Sequence, residues 1–245
     1  MDGTVLQLGL FLGATFAASL IAGLAGFAFA LIAAAVWLHI LTPLQTVSLI
    51  VGYGLIVQGS GMWKLRHMLN WSRLWPFFLG GVPGVVLGIA ILGWVNPAAV
   101  RAAVSAVLVL YALYSLARPT LKPVQAGAIS DGCVGFLNGL LGGVTGISGI
   151  VVVIWSGLRG WPKDVQRAVF QPVIVATFVM SAIGLGATGA ITADTLILFL
   201  IGLPALLAGT WLGLSLYGHL DEAGFRRVVL LLLLGSGLLL IAGIR

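Results

Sequence analysis

The sequence predicts an all-α polytopic membrane protein of two inverted repeats, each a broken, re-entrant helical hairpin plus three transmembrane helices. Three observations carry this. The 245 residues are 60% hydrophobic and 7% charged, whereas a soluble globular domain carries about 25% charge. Apolar runs of the roughly 20 residues that cross a bilayer recur along the chain, and mean hydropathy is +1.17. Two of those runs are interrupted by glycine at corresponding places, as an internal duplication would leave them.

The apolar runs lie at 5–41, 44–63, 74–95, 98–117, 129–157, 165–187, 195–217 and 225–244, about eight apparent spans. The first is far too long for one crossing and is interrupted by Gly23-Leu24-Ala25-Gly26. The fifth is interrupted by a stretch from Gly139 to Gly149 that holds five glycines besides Thr145 and Ser148. Glycine is costly inside a helix and lets the chain turn or a ligand approach the backbone. Both stretches are therefore read as breaks.

Gly23 and Gly26 align with Gly143 and Gly146 at an offset of 120. Downstream, Pro43 pairs with Pro162, Gly81 and Pro83 with Gly202 and Pro204, Gly88 with Gly209, and Arg101 with Arg226. The common order of these pairs defines a first repeat at 1–117, a linker at 118–123 with two prolines and two cations, and a second repeat at 124–245.

Cytoplasmic loops carry the Lys and Arg excess. With 64–73 inside, a crossing fifth segment would place Arg159, Lys163, Arg167, Arg226 and Arg227 outside; a re-entrant hairpin places all five inside. The count is then ten inside, with Lys64, Arg66, Arg73, Arg118 and Lys122, against Arg101 and Arg245 outside. The half-segments 129–142 and 147–157 are also too short to cross alone. One hairpin and three crossings per half invert the second half relative to the first. For the first hairpin charge does not discriminate, since 5–24 is long enough to span by itself.

At a break, the following half-helix presents unpaired N–H groups and a partial charge of about +0.5. At membrane depth such backbone needs a polar or negative partner. The termini after Gly26 and Gly146 are expected to face each other near the midplane and hold a small anion. Thr145 and Ser148 are candidate caps or donors, and Asn138 offers an amide from the preceding arm, although it serves equally well as interhelical glue. Gln171 and Gln58 are candidate pathway amides, competing with ordinary solvated or neighbour-bonded roles. Pro172 frees a carbonyl near Ala168 and is expected to kink its helix. Isolated glycines such as Gly88, Gly184 and Gly209 are read as packing seams, and Arg101 and Arg226 as snorkelling to lipid phosphate.

Other classes find little support. Cys133 is the sole cysteine, and His39, His67 and His219 are far apart in sequence, so no metal or cofactor is expected. The net charge of +6 is topological and no nucleic-acid partner is expected. The run after Met1-Asp2-Gly3 lacks a basic leader, so no cleaved signal peptide is expected. Of the six acids only Asp131 approaches depth, in a Ser130-Asp131-Gly132 helix start read as a cap, leaving no evident carboxylate relay. The expected partners are a small anionic solute and the bilayer; a homodimer is compatible with the chain, though no pattern specifies one.

With breaks, duplication and linker assembled, the sequence resembles the sulfite exporter TauE/SafE family over essentially its whole length. The resemblance rests on Gly23 to Gly26 with the short apolar arm after it, on Gly142 to Gly149, and on Arg167-Ala168. It implies a transporter of sulfur-containing anions such as sulfite or sulfoacetate in the bacterial cytoplasmic membrane, with the substrate region at Gly23, Gly26, Gly143, Gly146 and Gly149. The chain departs from the family pattern in having Phe27-Ala28-Phe29 and Ile150-Val151 where further glycines and a proline are common, which implies a narrower or more apolar cavity. Two other readings are kept. Gly146-Ile147-Ser148-Gly149 has the GxSG form of an intramembrane serine protease, which needs a histidine to activate the serine. A non-transporting scaffold has no need of polar backbone at depth.

Overall fold

A computed structural model describes residues 2–37, 39–91, 105–106, 108–113, 116–117, 123–145, 148–187 and 192–242. Among them run the helices α1 (Asp2–Ala25), α2 (Phe29–Trp37), α3 (Pro43–Lys64), α4 (Trp71–Ile91), α5 (Ala128–Thr145), α6 (Ile150–Leu158), α7 (Lys163–Ala187), α8 (Ala193–Tyr217) and α9 (Glu222–Ala242). A 3-10 turn at Arg66–Met68 joins α3 to α4. No strand occurs among the described residues. Of the expected fourth span, 108–113 is helical. Arg101, Arg118, Lys122, Arg245 and Gly146 lie outside the described residues.

Among the described residues, three stretches are long and apolar enough to cross a membrane: Leu6–Ala25 in α1, and α7 and α8 in full. Their outer faces are apolar: Ile183, Leu200 and Trp211 are each more than 60% exposed. Large apolar side chains left bare in this way suit a hydrocarbon solvent rather than water.

The chain folds into two compact units that cut across the sequence halves. The first comprises Met1–Lys64 with Phe178–His219, and the second Leu65–Thr177 with Leu220–Arg245. The boundary falls inside α7, which runs on without interruption.

In the first unit α2 folds back along α1, so that Trp37 at its end packs against Phe11 with ring centroids 5.3 Å apart and the rings tilted by 33°. Phe29 and Tyr53 complete this aromatic core, 5.9 and 5.9 Å from Trp37. α1 also packs closely on α8: a Cβ on Gly23 would fall 2.8 Å from the Thr210 carbonyl, and one on Gly209 3.1 Å from the Leu20 nitrogen. The second unit repeats this construction, with α5 against α4. Here a Cβ on Gly139 would lie 2.9 Å from the Val85 nitrogen. Glycine lets the backbones approach to that distance, as in small-residue seams between membrane helices. A Cβ on Gly184 would meet nothing within 4 Å among the described residues, so no seam between them accounts for it.

Each short helix is entered through a left-handed residue. Ala28 precedes α2 with φ +73°, and Gly149 precedes α6 with φ +107°. The two positions are 121 residues apart, and α2 and α6 are both nine residues long. An L-residue in the left-handed region costs roughly 1–2 kcal/mol, so the alanine is strained where the glycine is not. Ala28→Gly is expected to stabilise the protein by up to about 1 kcal/mol, part of the relief being offset by the greater freedom of glycine when unfolded. A rise in thermal melting temperature in detergent checks this.

Candidate functional site: the second broken helix

α5 does not stop at the glycine pair, as the half-segment 129–142 implied, but continues through Gly142 and Gly143 to Thr145. Its eighteen residues extend about 27 Å, against about 14 Å for α6. The chain then doubles back. The Gly149 N–H donates to Asn138 Oδ1 at 2.9 Å, and Asn138 Nδ2 donates to Ser148 Oγ at 3.2 Å. Asn138 is 1% exposed, and both ends of its amide serve the turn. Its role here is to hold the break in shape.

α6 then runs back to the level where α5 begins. The Val124 N–H donates to the Leu158 carbonyl at 2.9 Å, Trp155 Nε1 donates to Asp131 Oδ1 at 2.7 Å, and Arg159 lies 3.7 Å from the same carboxylate oxygen. Arg159 also donates to the Ala126 carbonyl. The two arms start and finish at one end, so α5 and α6 form a hairpin. Asp131 is not the cap that its sequence context suggested. It lies inside α5, buried, and its carboxylate ties α6 to α5 instead. Asp131→Ala would strand the Trp155 N–H and remove the Arg159 counter-ion, at an expected cost of about 1–3 kcal/mol. The loss should appear as a lower melting temperature, with Asp131→Asn falling between.

The N-terminus of α6 has no side-chain cap. Helix geometry leaves the N–H groups of Ile150, Val151 and Val152 without intrahelical acceptors, concentrating positive potential at the break. Ser148 sits beside it with a hydroxyl that accepts from Asn138 and keeps its own proton to donate.

The facing side of α7 brings Gln171, a candidate from the sequence, onto one face with Arg167, which the sequence did not mark as a pathway residue. A Cβ on Gly149 would come 2.6 Å from Ile174 Cδ1, and one on Gly142 would come 3.0 Å from Thr177 Cγ2. These contacts turn one face of α7 toward the hairpin. Arg167 and Gln171 precede Ile174 at helical spacing and share that face. Arg167 is 1% and Gln171 0% exposed, and among the described residues neither Nε2 nor Oε1 of Gln171 has a hydrogen-bond partner. Pro172 lacks an N–H, so the Ala168 carbonyl has no helical donor either. The charge tally places Arg167 on the cytoplasmic side, and the structure buries its side chain. Only its position a few residues inside an apolar run could have signalled this.

The remaining candidates are distributed as follows. Gly26 (φ +83°) forms the first break with Ala28, whereas Gly23 lies in α1 against α8. Gly143 is inside α5. The side chain of Thr145 is outside the described residues. Gln58 belongs to the first unit, 2% exposed with its Oε1 unpartnered. The same unit buries unpartnered polar atoms of Trp37, Thr46, Ser48 and Thr210. His219 sits in the first unit with Nδ1 3.0 Å from the Ser215 carbonyl, while the partner of Ser148 is Asn138. No group of three or more metal-ligating side chains occurs among the described residues.

Helices of membrane length and composition, two hairpins broken at left-handed residues and polar groups buried beside the second break define an all-helical protein of membrane type. The sequence model of the sulfite exporter TauE/SafE family matches residues 10–240. The chain belongs to that family. No curated protein and no solved structure matches it.

Proposed function

We propose that this protein is a secondary transporter moving a small sulfur-containing anion, such as sulfite, sulfoacetate or a related organosulfonate, across the bacterial cytoplasmic membrane. The solute binds at the broken helices, near the midplane. One observation carries the reading: the second break holds an uncapped helix N-terminus beside a donor hydroxyl, at a turn locked by Asn138. Such a terminus attracts anions, and in transporters half-helix termini hold anionic substrate groups. Membership of the sulfite exporter family supports the sulfur chemistry.

The two inverted halves, 1–117 and 124–245, are part of this proposal. Their support is the matched pair of nine-residue helices, the left-handed residue before each, and the parallel packing of α1 on α8 and α5 on α4. In each compact unit a hairpin from one half thus packs on a long helix from the other. The protease reading is disfavoured because Ser148 pairs with an amide, not an imidazole.

The test is thermal stability of the purified protein with sulfite, sulfoacetate, sulfolactate, thiosulfate, taurine and a simple carboxylate. A ligand of the native state at 100 times its Kd adds about 2.7 kcal/mol. A dose-dependent shift for a sulfur oxyanion, reduced in Ser148→Ala, is the expected result. No shift for any anion, together with Ser148-dependent cleavage of a membrane peptide, would replace transport by proteolysis.

A further inference from the structure

The buried face of α7 carries more than a general attraction for anions. With a rise of about 1.5 Å per residue, Gln171 stands about 4.5 Å along the axis from Ile174, the residue that meets Gly149, and Arg167 about 10.5 Å. A guanidinium is the side chain best suited to hold two oxygens of an oxyanion at once. Gln171 is different in kind, because its amide presents a donor and an acceptor, both buried and both without partner. A carboxamide placed only to bind a fully deprotonated anion would leave its oxygen facing negative charge. The Ala168 carbonyl, deprived of its helical donor by Pro172, adds a second acceptor one turn before Pro172. Two acceptors and the Gln171 amide donor on one buried face call for a ligand that both accepts and donates.

We propose that Arg167 and Gln171, with the Ser148 hydroxyl, form the recognition face of the anion site, and that its ligand is an oxyanion that still carries a hydroxyl group. Arg167 and Ser148 take the charged oxygens, the Gln171 Nε2 a further oxygen, and the Gln171 Oε1 accepts the ligand's O–H. Hydrogensulfite meets this description, and so does a hydroxyalkanesulfonate. The inference rests on the anion-transporter reading and deepens it, since a plain sulfonate would leave the amide oxygen unmatched. A site built to hydrogen-bond a ligand hydroxyl rejects the analogue without it strongly, because its own buried groups are then left unpaired.

The test is calorimetric binding to the full-length protein in lipid nanodiscs. The probes are hydroxymethanesulfonate, methanesulfonate, and mildly acidic sulfite, which is mostly hydrogensulfite. The wild type is expected to bind hydroxymethanesulfonate at least about tenfold more tightly than methanesulfonate. In Gln171→Leu that preference should collapse while methanesulfonate binding persists. Arg167→Lys, which keeps the charge but not the fork, should weaken both sulfonates alike. Comparison of the sulfite arm with the hydroxymethanesulfonate arm tells which hydroxyl-bearing ligand the site prefers. Equal affinity for the two sulfonates in the wild type, or a preference that survives in Gln171→Leu, overturns the assignment and leaves the transporter reading standing. If none of the three probes binds the wild type, both fall together.

Discussion

Gly149→Leu is expected to destabilise the protein severely and to abolish transport. At φ +107° any L-residue is strained, at a cost of roughly 1–3 kcal/mol. The side chain would also enter the space of Ile174, whose Cδ1 already lies 2.6 Å from where a Cβ would stand, and overpacking adds about 1–3 kcal/mol. The two terms are separable. Gly149→Ala retains the backbone strain but only the first carbon of the clash, and pairing it with Ile174→Val should recover part of the steric loss and none of the strain. Melting temperatures of the three variants would show this order. A wild-type melting temperature for Gly149→Leu would mean that the break does not have this conformation in the membrane.

Asn138→Leu is the second large effect, and it acts on the same turn from the other arm. Leucine has nearly the same shape but removes the acceptor for the Gly149 N–H and the donor to Ser148 Oγ. A buried N–H left without acceptor costs about 1–3 kcal/mol, and Ser148 loses the bond that orients it. Solute transport is expected to fall further than stability does, because the turn that aims the α6 terminus is loosened even in molecules that remain folded. Asn138→Asp retains the acceptor but removes the donor and sets a negative charge beside the proposed anion. It should therefore fold better than Asn138→Leu and bind anions no better. Flux and melting curves on the same preparations distinguish the two consequences.

Most of the helices were legible in the sequence because hydropathy at membrane scale is a strong signal. The spans expected at 44–63, 165–187 and 195–217 differ from α3, α7 and α8 by two residues or fewer at each end. Both breaks were legible because glycine is rare where leucine would do. The end of α5 was not, since Gly142 and Gly143 read as helix-breaking when helical glycines also serve close packing. Nor was the role of Asp131, whose partners Trp155 and Arg159 lie 24 and 28 residues away and are brought to it only by the doubling back of α6. The burial of Arg167 was not legible either, because enclosing a guanidinium depends on tertiary contacts that no local pattern encodes. That each compact unit draws on segments far apart in the chain was likewise invisible, because contacts at such separation leave no local pattern.

The most direct measurement is flux of radiolabelled sulfite in liposomes containing the purified protein, with empty liposomes and Asn138→Leu protein as controls. Protein-dependent movement of sulfite that saturates with concentration, is competed by a hydroxyalkanesulfonate and is lost in Asn138→Leu is the predicted result. Flux equal to that of empty liposomes for sulfite and for every sulfonate tried, from protein that melts cooperatively, would contradict a sulfur-anion transporter built on the second broken helix.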